Sequence, residues 1–411
     1  MVRKYISVYL SEGKGLLMAN ENLGKAKTVK NDEFYTLYEY IQKEMNAYLE
    51  YNPDVFRDKT VLCPCDDPEW SNFTRFFAQN FEMLGIKKLI STSYALEAKK
   101  NKYEKYHQIT LFELNSSQYD EEKAERKGKI FTLSRHTKKK INYDDLEWDY
   151  LEGDGDFRSE EVKKLRDEAD IIITNPPFSL FREFVSWIYE ANKKCIIVGN
   201  QNNVTYPDVF SFIMSNKLWI GATCNSEDMV FMVPEGAVVS PKDKEKAEKM
   251  GYKGNYTRMG NICWYTNIEH GRRHQLLSLM TMDDNVKYSK HKVIKENGYL
   301  NYNNYDAIDI PFVDAIPSDY DGKMGVPVTF LDKYCPEQFE IIGISNLKEI
   351  PLEGVKPVGE KWVSEYRKNG GTGHISPNMH CLIGYNKSNT PVSYYRRIII
   401  RRKQSENNIN N

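Results

Sequence analysis

The chain has 411 residues, a formal net charge of -1 and seven cysteines. That length holds one large domain plus a second unit, and the near-neutral balance excludes a globally basic nucleic-acid binder, so a DNA-facing surface must come from local basic patches. The odd cysteine count lacks a Cys-x-x-Cys pair, and Cys63-Pro64-Cys65 is badly spaced for zinc; with no long apolar segment and no apolar stretch at the amino terminus, the expectation is a soluble cytoplasmic protein with reduced thiols, no metal and no membrane partner. Residues 1–30 read as a peripheral extension in which Met18 would serve equally well as a start, leaving 1–17 dispensable. A helix is expected from Asp32 to Leu49, capped by Asn31 or Asp32, with Phe34, Leu37, Tyr38, Ile41 and Met45 at helical spacing. Val61-Leu62-Cys63 reads as a strand, Asn72–Leu84 as a helix ended by Gly85, and Lys88–Thr92 as the next strand, a βαβ opening. The charge-rich stretch from Ser116 to Asp149, which holds Lys138-Lys139-Lys140, reads as an excursion of strands and loops.

Further along, Ile171-Ile172-Ile173-Thr174 is a short β-branched run and is expected as a fully buried strand of an α/β sheet. A helix from about Leu180 to Ala191, the strand Cys195–Val198, a helix around Pro207–Ser215 and the strand Lys217–Gly221 follow. Ser240–Lys249 reads as a solvated connection, and Asn261–Thr266 as a late buried strand. Beyond about Gly271 the alternation stops and turn residues and aromatics dominate, ending in a basic tail, Tyr395–Lys403. That change marks a second unit.

Asn175-Pro176-Pro177-Phe178 sits just past the carboxyl end of the 171–174 strand, where open α/β sheets bind ligands. Two prolines remove donors and stiffen the chain. The Asn175 side-chain oxygen and the Pro176 carbonyl then form two fixed acceptors beside the flat face of Phe178. Such a pocket suits a planar ring with an exocyclic amine, both of whose N–H groups would be accepted while the ring stacks.

Asn-Pro-Pro-aromatic after a buried strand resembles the catalytic tetrapeptide of amino-methyltransferases that use S-adenosylmethionine. Six further segments, in order, carry a closer resemblance: Lys30–Thr36, Cys65–Phe73, Gly153–Arg158, Trp264–Asn267, Asn304–Ile308 and Asp319–Asp332. Together they resemble the EcoRI-type family of adenine-specific DNA methyltransferases over about residues 30 to 345.

The resemblance implies a Rossmann-like methyltransferase fold, a mainly parallel seven-stranded sheet with helices on both faces, spanning 31–270. A smaller target-recognition region would occupy 271–403, and 404–411 would be a disordered tail. It further implies that Phe34, Tyr35 and Thr36 lie across the methionine end of S-adenosylmethionine. Cys65, Asp66 and Asp67 replace the usual Gly-rich turn, and either acid is placed to accept from the ammonium or a ribose hydroxyl. In the Gly153–Phe157 loop, Asp154 or Asp156 would meet the cofactor, with Asp156 on the adenine amine and Phe157 stacked on its ring. The acid expected after the second strand is missing, Ser91-Thr92-Ser93-Tyr94 standing there, so the ribose role stays unassigned. Trp264 and Tyr265 would wall the target base, with core aromatics as the alternative. Arg272, Arg273, Arg396 and Arg397 would meet phosphates.

The function implied is site-specific transfer of a methyl group to N6 of an adenine flipped out of double-stranded DNA. The setting would be a restriction-modification system, with a cognate endonuclease acting separately, or an orphan or phage enzyme; the protein would be a monomer or weak dimer. RNA-adenine or protein-glutamine methylation, or a non-catalytic DNA-binding role on the same scaffold, are the alternatives.

Overall fold

The computed structural model describes residues 34–68, 71–95, 119–135, 145–223, 228–235 and 237–403. The extension 1–30, the Asn31/Asp32 cap, Glu69-Trp70, the Lys138–Lys140 run and the tail 404–411 lie outside the described residues. The chain forms two compact units, one reaching Asn203 and taking up Leu218–His270, the other made of Val204–Lys217 and the chain from Gly271 onward.

The first unit carries strands β1 (Tyr35–Thr36), β2 (Thr60–Cys63), β3 (Lys88–Ser93), β4 (Lys129–Ser134), β5 (Glu147–Tyr150), β6 (Ile171–Thr174), β7 (Lys194–Asn200), β8 (Trp219–Ile220), β9 (Met229–Met232), β10 (Tyr256–Met259) and β11 (Ile262–Thr266). Among the described residues its main sheet has eight strands, in the order β5-β4-β3-β2-β6-β7-β11-β8. The inner four, β3, β2, β6 and β7, run parallel, with Val61 opposite both Leu89 and Ile171. The expected mainly parallel seven-stranded sheet is therefore corrected to a mixed sheet of eight. The antiparallel pairings lie on both sides of that parallel centre: β4 and β5, from the 116–149 excursion, on one, and β11 and β8 on the other. Along β4, buried Phe131 and Leu133 alternate with half-buried Ile130 and Thr132. A strand with only one covered face suits an antiparallel position away from the sheet centre, whereas β2 and β6, buried throughout, fit the parallel middle.

Helices cover the sheet with apolar faces at helical spacing. In Phe181–Glu190 the buried residues are Phe181, Phe184, Val185, Trp187 and Ile188. The Asn72–Gln79 helix is capped by the Ser71 hydroxyl, which accepts from Phe73 N. The single helix expected over 72–84 breaks at Asn80 and restarts as Phe81–Leu84, with Gly85 left-handed at its end. The Tyr38–Tyr51 helix starts later than expected, because Tyr35 and Thr36 pair with Met232 and Phe231 in a separate sheet, β1-β9-β10. The 240–249 stretch is a helix, Pro241–Lys249, with proline at its first turn and Ala247 buried.

In the second unit, β12 (Leu300–Asn301), β13 (Ile308–Asp309), β14 (Met324–Val326), β15 (Phe339–Ile344) and β18 (Ile398–Arg402) form a sheet of order β12-β13-β14-β18-β15. The stretch read as a basic tail is thus an interior strand. Ile398, Ile399 and Ile400 are fully buried, and only Tyr395, Arg401 and Lys403 are exposed. A hairpin of β16 (Ile383–Tyr385) and β17 (Pro391–Ser393) meets the Glu360–Lys368 helix, whose Trp362 indole donates to Gly384 O at 3.2 Å. The helix Pro207–Met214, expected in the first domain, clusters with this second unit. Among the described residues no helix is long and apolar enough to cross a membrane.

Candidate active site

Strand β2 lies between β3, to which the chain passes next, and β6, to which it later returns. Such a reversal of strand order opens a crevice beyond the carboxyl ends, where α/β sheets bind ligands. Here those ends carry Cys65-Asp66-Asp67 and Asn175-Pro176-Pro177-Phe178. They are tied together: the Thr174 hydroxyl donates to the Pro64 carbonyl at 2.6 Å.

The Asn175 amide donates through Nδ2 to the Phe34 carbonyl at 2.5 Å. Its Oδ1 is buried and has no hydrogen-bond partner among the described residues. A buried acceptor left in that state costs free energy that a ligand donor would recover. Pro176 is buried, and Phe178 is nearly so. The Phe34 ring stacks on Phe178 with centroids 5.8 Å apart, and Phe231 meets both rings edge-on.

The Phe34–Thr36 segment spans the crevice. Asn72 at the start of its helix donates to Thr36 O at 2.9 Å, while Phe34 O holds Asn175. Thr36 Oγ1 is a second buried oxygen without a partner among the described residues, and Thr92 Oγ1 at the end of β3 is a third. Tyr35 is half-buried.

The two acids after β2 separate clearly. Asp66 is buried and turned inward, accepting from Thr74 N at 3.0 Å, Thr74 Oγ1 at 2.5 Å and Ser71 Oγ. Burial pushes its carboxyl up to about 6, against the opposing pull of those donors. Its carboxylate is spent on the helix start, which corrects the expectation that it could equally well meet a ligand; Asp67 is half-buried. Cys65 has a left-handed backbone, and its thiol reaches the Tyr94 hydroxyl at 3.6 Å. Burial raises that thiol to about 12, so it stays neutral.

The Gly153–Phe157 loop lies against the end of β3, where Ala95 N donates to Asp154 O at 2.8 Å. Gly155 has φ 87°, and a Cβ there would stand 2.3 Å from Ser93 O, so only glycine permits this approach. Asp154 is exposed and its Oδ1 accepts from Asp156 N. Asp156 is clamped by Arg158 through Nε at 2.9 Å and Nη2 at 2.6 Å. Burial acts to raise its carboxyl, but the Arg158 bonds prevail and hold it below the usual range.

Three expectations are corrected by burial. Phe157 is fully buried with its ring against Phe184 and Trp187, so it packs the core instead of facing a ligand ring. Trp264 and Tyr265 are core residues too: Trp264 meets Phe73 edge-on, and the Tyr265 hydroxyl donates to Asn200 O at 2.8 Å while its ring packs on Phe181. Each aromatic on β11 faces one covered side of an interior strand, so neither walls a pocket.

In the second unit, Arg273 is buried, bonded to Asn216 Oδ1 and placed over the Tyr334 ring. Arg397 is held by Asp309 at 2.9 Å. Both are structural, against the expectation that they meet phosphates. Arg272 is half-buried, and Arg396 donates to Thr205 O at 3.3 Å. Sequence reading left Tyr94 without a role. Its hydroxyl accepts from the Cys65 thiol, and burial pushes its ionisation far up, so it remains neutral. Its place directly after β3, where an acid is expected, is the signal in the sequence.

The chain matches the family described as "Adenine-specific methyltransferase EcoRI" over residues 22–403. It is 39% identical over 343 residues to the Type II methyltransferase M.EcoRI of Escherichia coli, covering 82% of this chain and 94% of that protein. It is 32% identical over 321 residues both to M.MgeORF184P of Mycoplasma genitalium, covering 78% of this chain and 85% of the relative, and to M.MpnI of Mycoplasma pneumoniae, covering 77% and 84%. No solved structure is significantly similar to the chain.

Proposed function

The chain belongs to the family of the EcoRI adenine-specific methyltransferase, and from that premise we propose that it methylates N6 of an adenine flipped out of double-stranded DNA, at one defined sequence. The observation that carries this reading is the buried Asn175 Oδ1, without a partner among the described residues, at the head of the segment that continues through Pro176 to Phe178. Adenine's exocyclic nitrogen is a poor nucleophile because its lone pair is delocalised into the ring. Asn175 Oδ1 and Pro176 O would accept its two N–H bonds and favour a pyramidal nitrogen. As positive charge develops there, these fixed dipoles stabilise it without reorganising. Holding the base in line supplies much of the remaining acceleration. Neither oxygen is a base at neutral pH, so the proton that the amine sheds passes to water.

S-adenosylmethionine, which methyltransferases use in general, supplies the electrophilic methyl group when bound. The crevice residues fit it: Thr36 and Thr92 hold buried hydroxyls that have no partner among the described residues, Asp67 follows β2, and Tyr94 follows β3. Asp66 and Phe157 are occupied elsewhere and take no part.

The target base reaches the pocket only by leaving the duplex, at a cost of a few kcal/mol. A base lying between Phe34 and Phe178 needs about 7 Å of ring separation, twice the ~3.5 Å carbon contact distance. The rings stand 5.8 Å apart, so Phe34 must give by about 1 Å, or the base must approach Phe178 from another side.

The second unit is proposed to read the DNA sequence. Because β18 completes its sheet, a chimaera must exchange 271–403 as a whole; a 271–345 exchange would split β14 and β15 from their partner strand. The enzyme is proposed to act as a modification methylase without a stable complex with an endonuclease. Offering duplex DNA, RNA and peptide as acceptors tests the reading. N6-methyladenine in duplex DNA alone supports it, and transfer only to RNA or peptide refutes it.

A further inference from the structure

We propose that the main-chain carbonyl of Phe34 selects which end of the Asn175 amide faces the substrate, making Phe34 a positioning residue for the transfer; the inference rests on the reading of the site given above. The two ends of an asparagine amide have nearly the same shape and opposite hydrogen-bonding character. Its surroundings therefore decide its orientation. A carbonyl at 2.5 Å accepts and cannot donate, so only Nδ2 can stand against it. The flipped amide would set oxygen against oxygen and aim N–H groups at the amine's own hydrogens.

Phe34 is held firmly enough to impose this choice. It directly precedes β1, which pairs with β9 through Tyr35 and Met232. Asn72 grips Thr36 O two residues on. Its ring packs on Phe178 and Phe231. The segment proposed to meet the methyl donor through Thr36 thus also aims the catalytic amide through Phe34.

Position 175 must consequently donate on one side and accept on the other. Asparagine does both. A neutral carboxyl group does both, with its O–H toward Phe34. A carboxylate only accepts, and would place a negative oxygen against the carbonyl.

The test is Asn175→Asp, with kcat measured from about pH 5.5 to 9 at saturating DNA and methyl donor and divided by the wild-type value at each pH. Titratable groups on the flanking elements include Cys65, Asp66 and Asp67 after β2, Tyr35, Tyr38 and Glu39 beside Phe34, and Arg182 and Glu183 in the Phe181–Glu190 helix that follows. Wild type carries all of them, so the ratio cancels their titration. The ratio should fall about tenfold per pH unit above the pKa of the new carboxyl, while the KM for DNA changes little. A ratio independent of pH, or rising with it, overturns the proposal. Asn175→Ala separates the two levels: full activity in that variant sinks the reading of the site itself, whereas an inactive alanine variant with a flat aspartate ratio sinks only the role of Phe34. A second route replaces Tyr35 by its α-hydroxy analogue, which turns the Phe34 carbonyl into an ester and weakens it as an acceptor. A roughly threefold to tenfold drop in kcat is expected, and an unchanged kcat in the folded protein contradicts the proposal.

Discussion

The Thr174 hydroxyl donates to the Pro64 carbonyl at 2.6 Å, joining the last residue of β6 to the loop that follows β2. Both residues are buried. One bond thereby fixes the spacing of the two loops that make the crevice. Thr174→Val keeps the shape and removes the donor, leaving a buried carbonyl without it. Stability should fall by about 1–3 kcal/mol, read from urea unfolding. Turnover of the still-folded enzyme should also fall, because Asn175 is the next residue. Unchanged midpoint and kcat would show that the tie does not position the site.

Asp66 makes a second prediction through its proton. Its folded-state value of about 6 lies above the ordinary 3.8. The folded protein therefore keeps this proton between roughly pH 4 and 6, where the unfolded chain has released it. The stability linked to the group is fully present below pH 4 and is lost as pH rises through 6. At about 1.4 kcal/mol per tenfold change in proton affinity, that amounts to at most ~3 kcal/mol. Unfolding of Asp66→Asn and wild type across pH 4–7 should diverge in that window, wild type declining relative to the variant. Parallel curves would mean that Asp66 ionises normally.

Arg397, just before β18, and Arg401, within it, should respond differently. The Arg397–Asp309 pair is nearly buried, with side-chain exposures of 12% and 9%, and Tyr302 donates to the same carboxylate at 2.7 Å. Removing one member leaves an uncompensated buried charge, a loss of about 3–5 kcal/mol. Arg401 pairs with Glu340 at exposures of 50% and 38%, which is worth under about 1 kcal/mol. Arg397→Met should lower the melting temperature well beyond Arg401→Met. Equal melting temperatures would refute the structural role of Arg397.

These three residues also mark what a sequence discloses. Ile171–Thr174 was legible as a buried strand because β-branched runs of that length have few other uses, and the tetrapeptide after it carried its own chemistry. Arg397 was not legible, since its partner Asp309 lies 88 positions away and a basic cluster near a chain end looks solvated. Trp264 and Tyr265 were ambiguous because a strand covered on both faces gives aromatics no polar alternation to sort core from pocket. The two acids after β2 could not be told apart until Thr74, one turn into the next helix, was seen to take Asp66. Pro241–Lys249 hid as a helix because Ala247 is its only buried apolar residue.

The most direct test of the central claim is single-molecule sequencing of DNA from otherwise methylation-free cells expressing wild type or Asn175→Ala. Wild type should leave N6-methyladenine at one recurring sequence. The mark should be lost with the variant, whose purified turnover should be down by about 10²-fold or more while affinity for S-adenosylmethionine changes little. Marks from the alanine variant at wild-type density, or modification of cytosine instead of adenine, would contradict the claim.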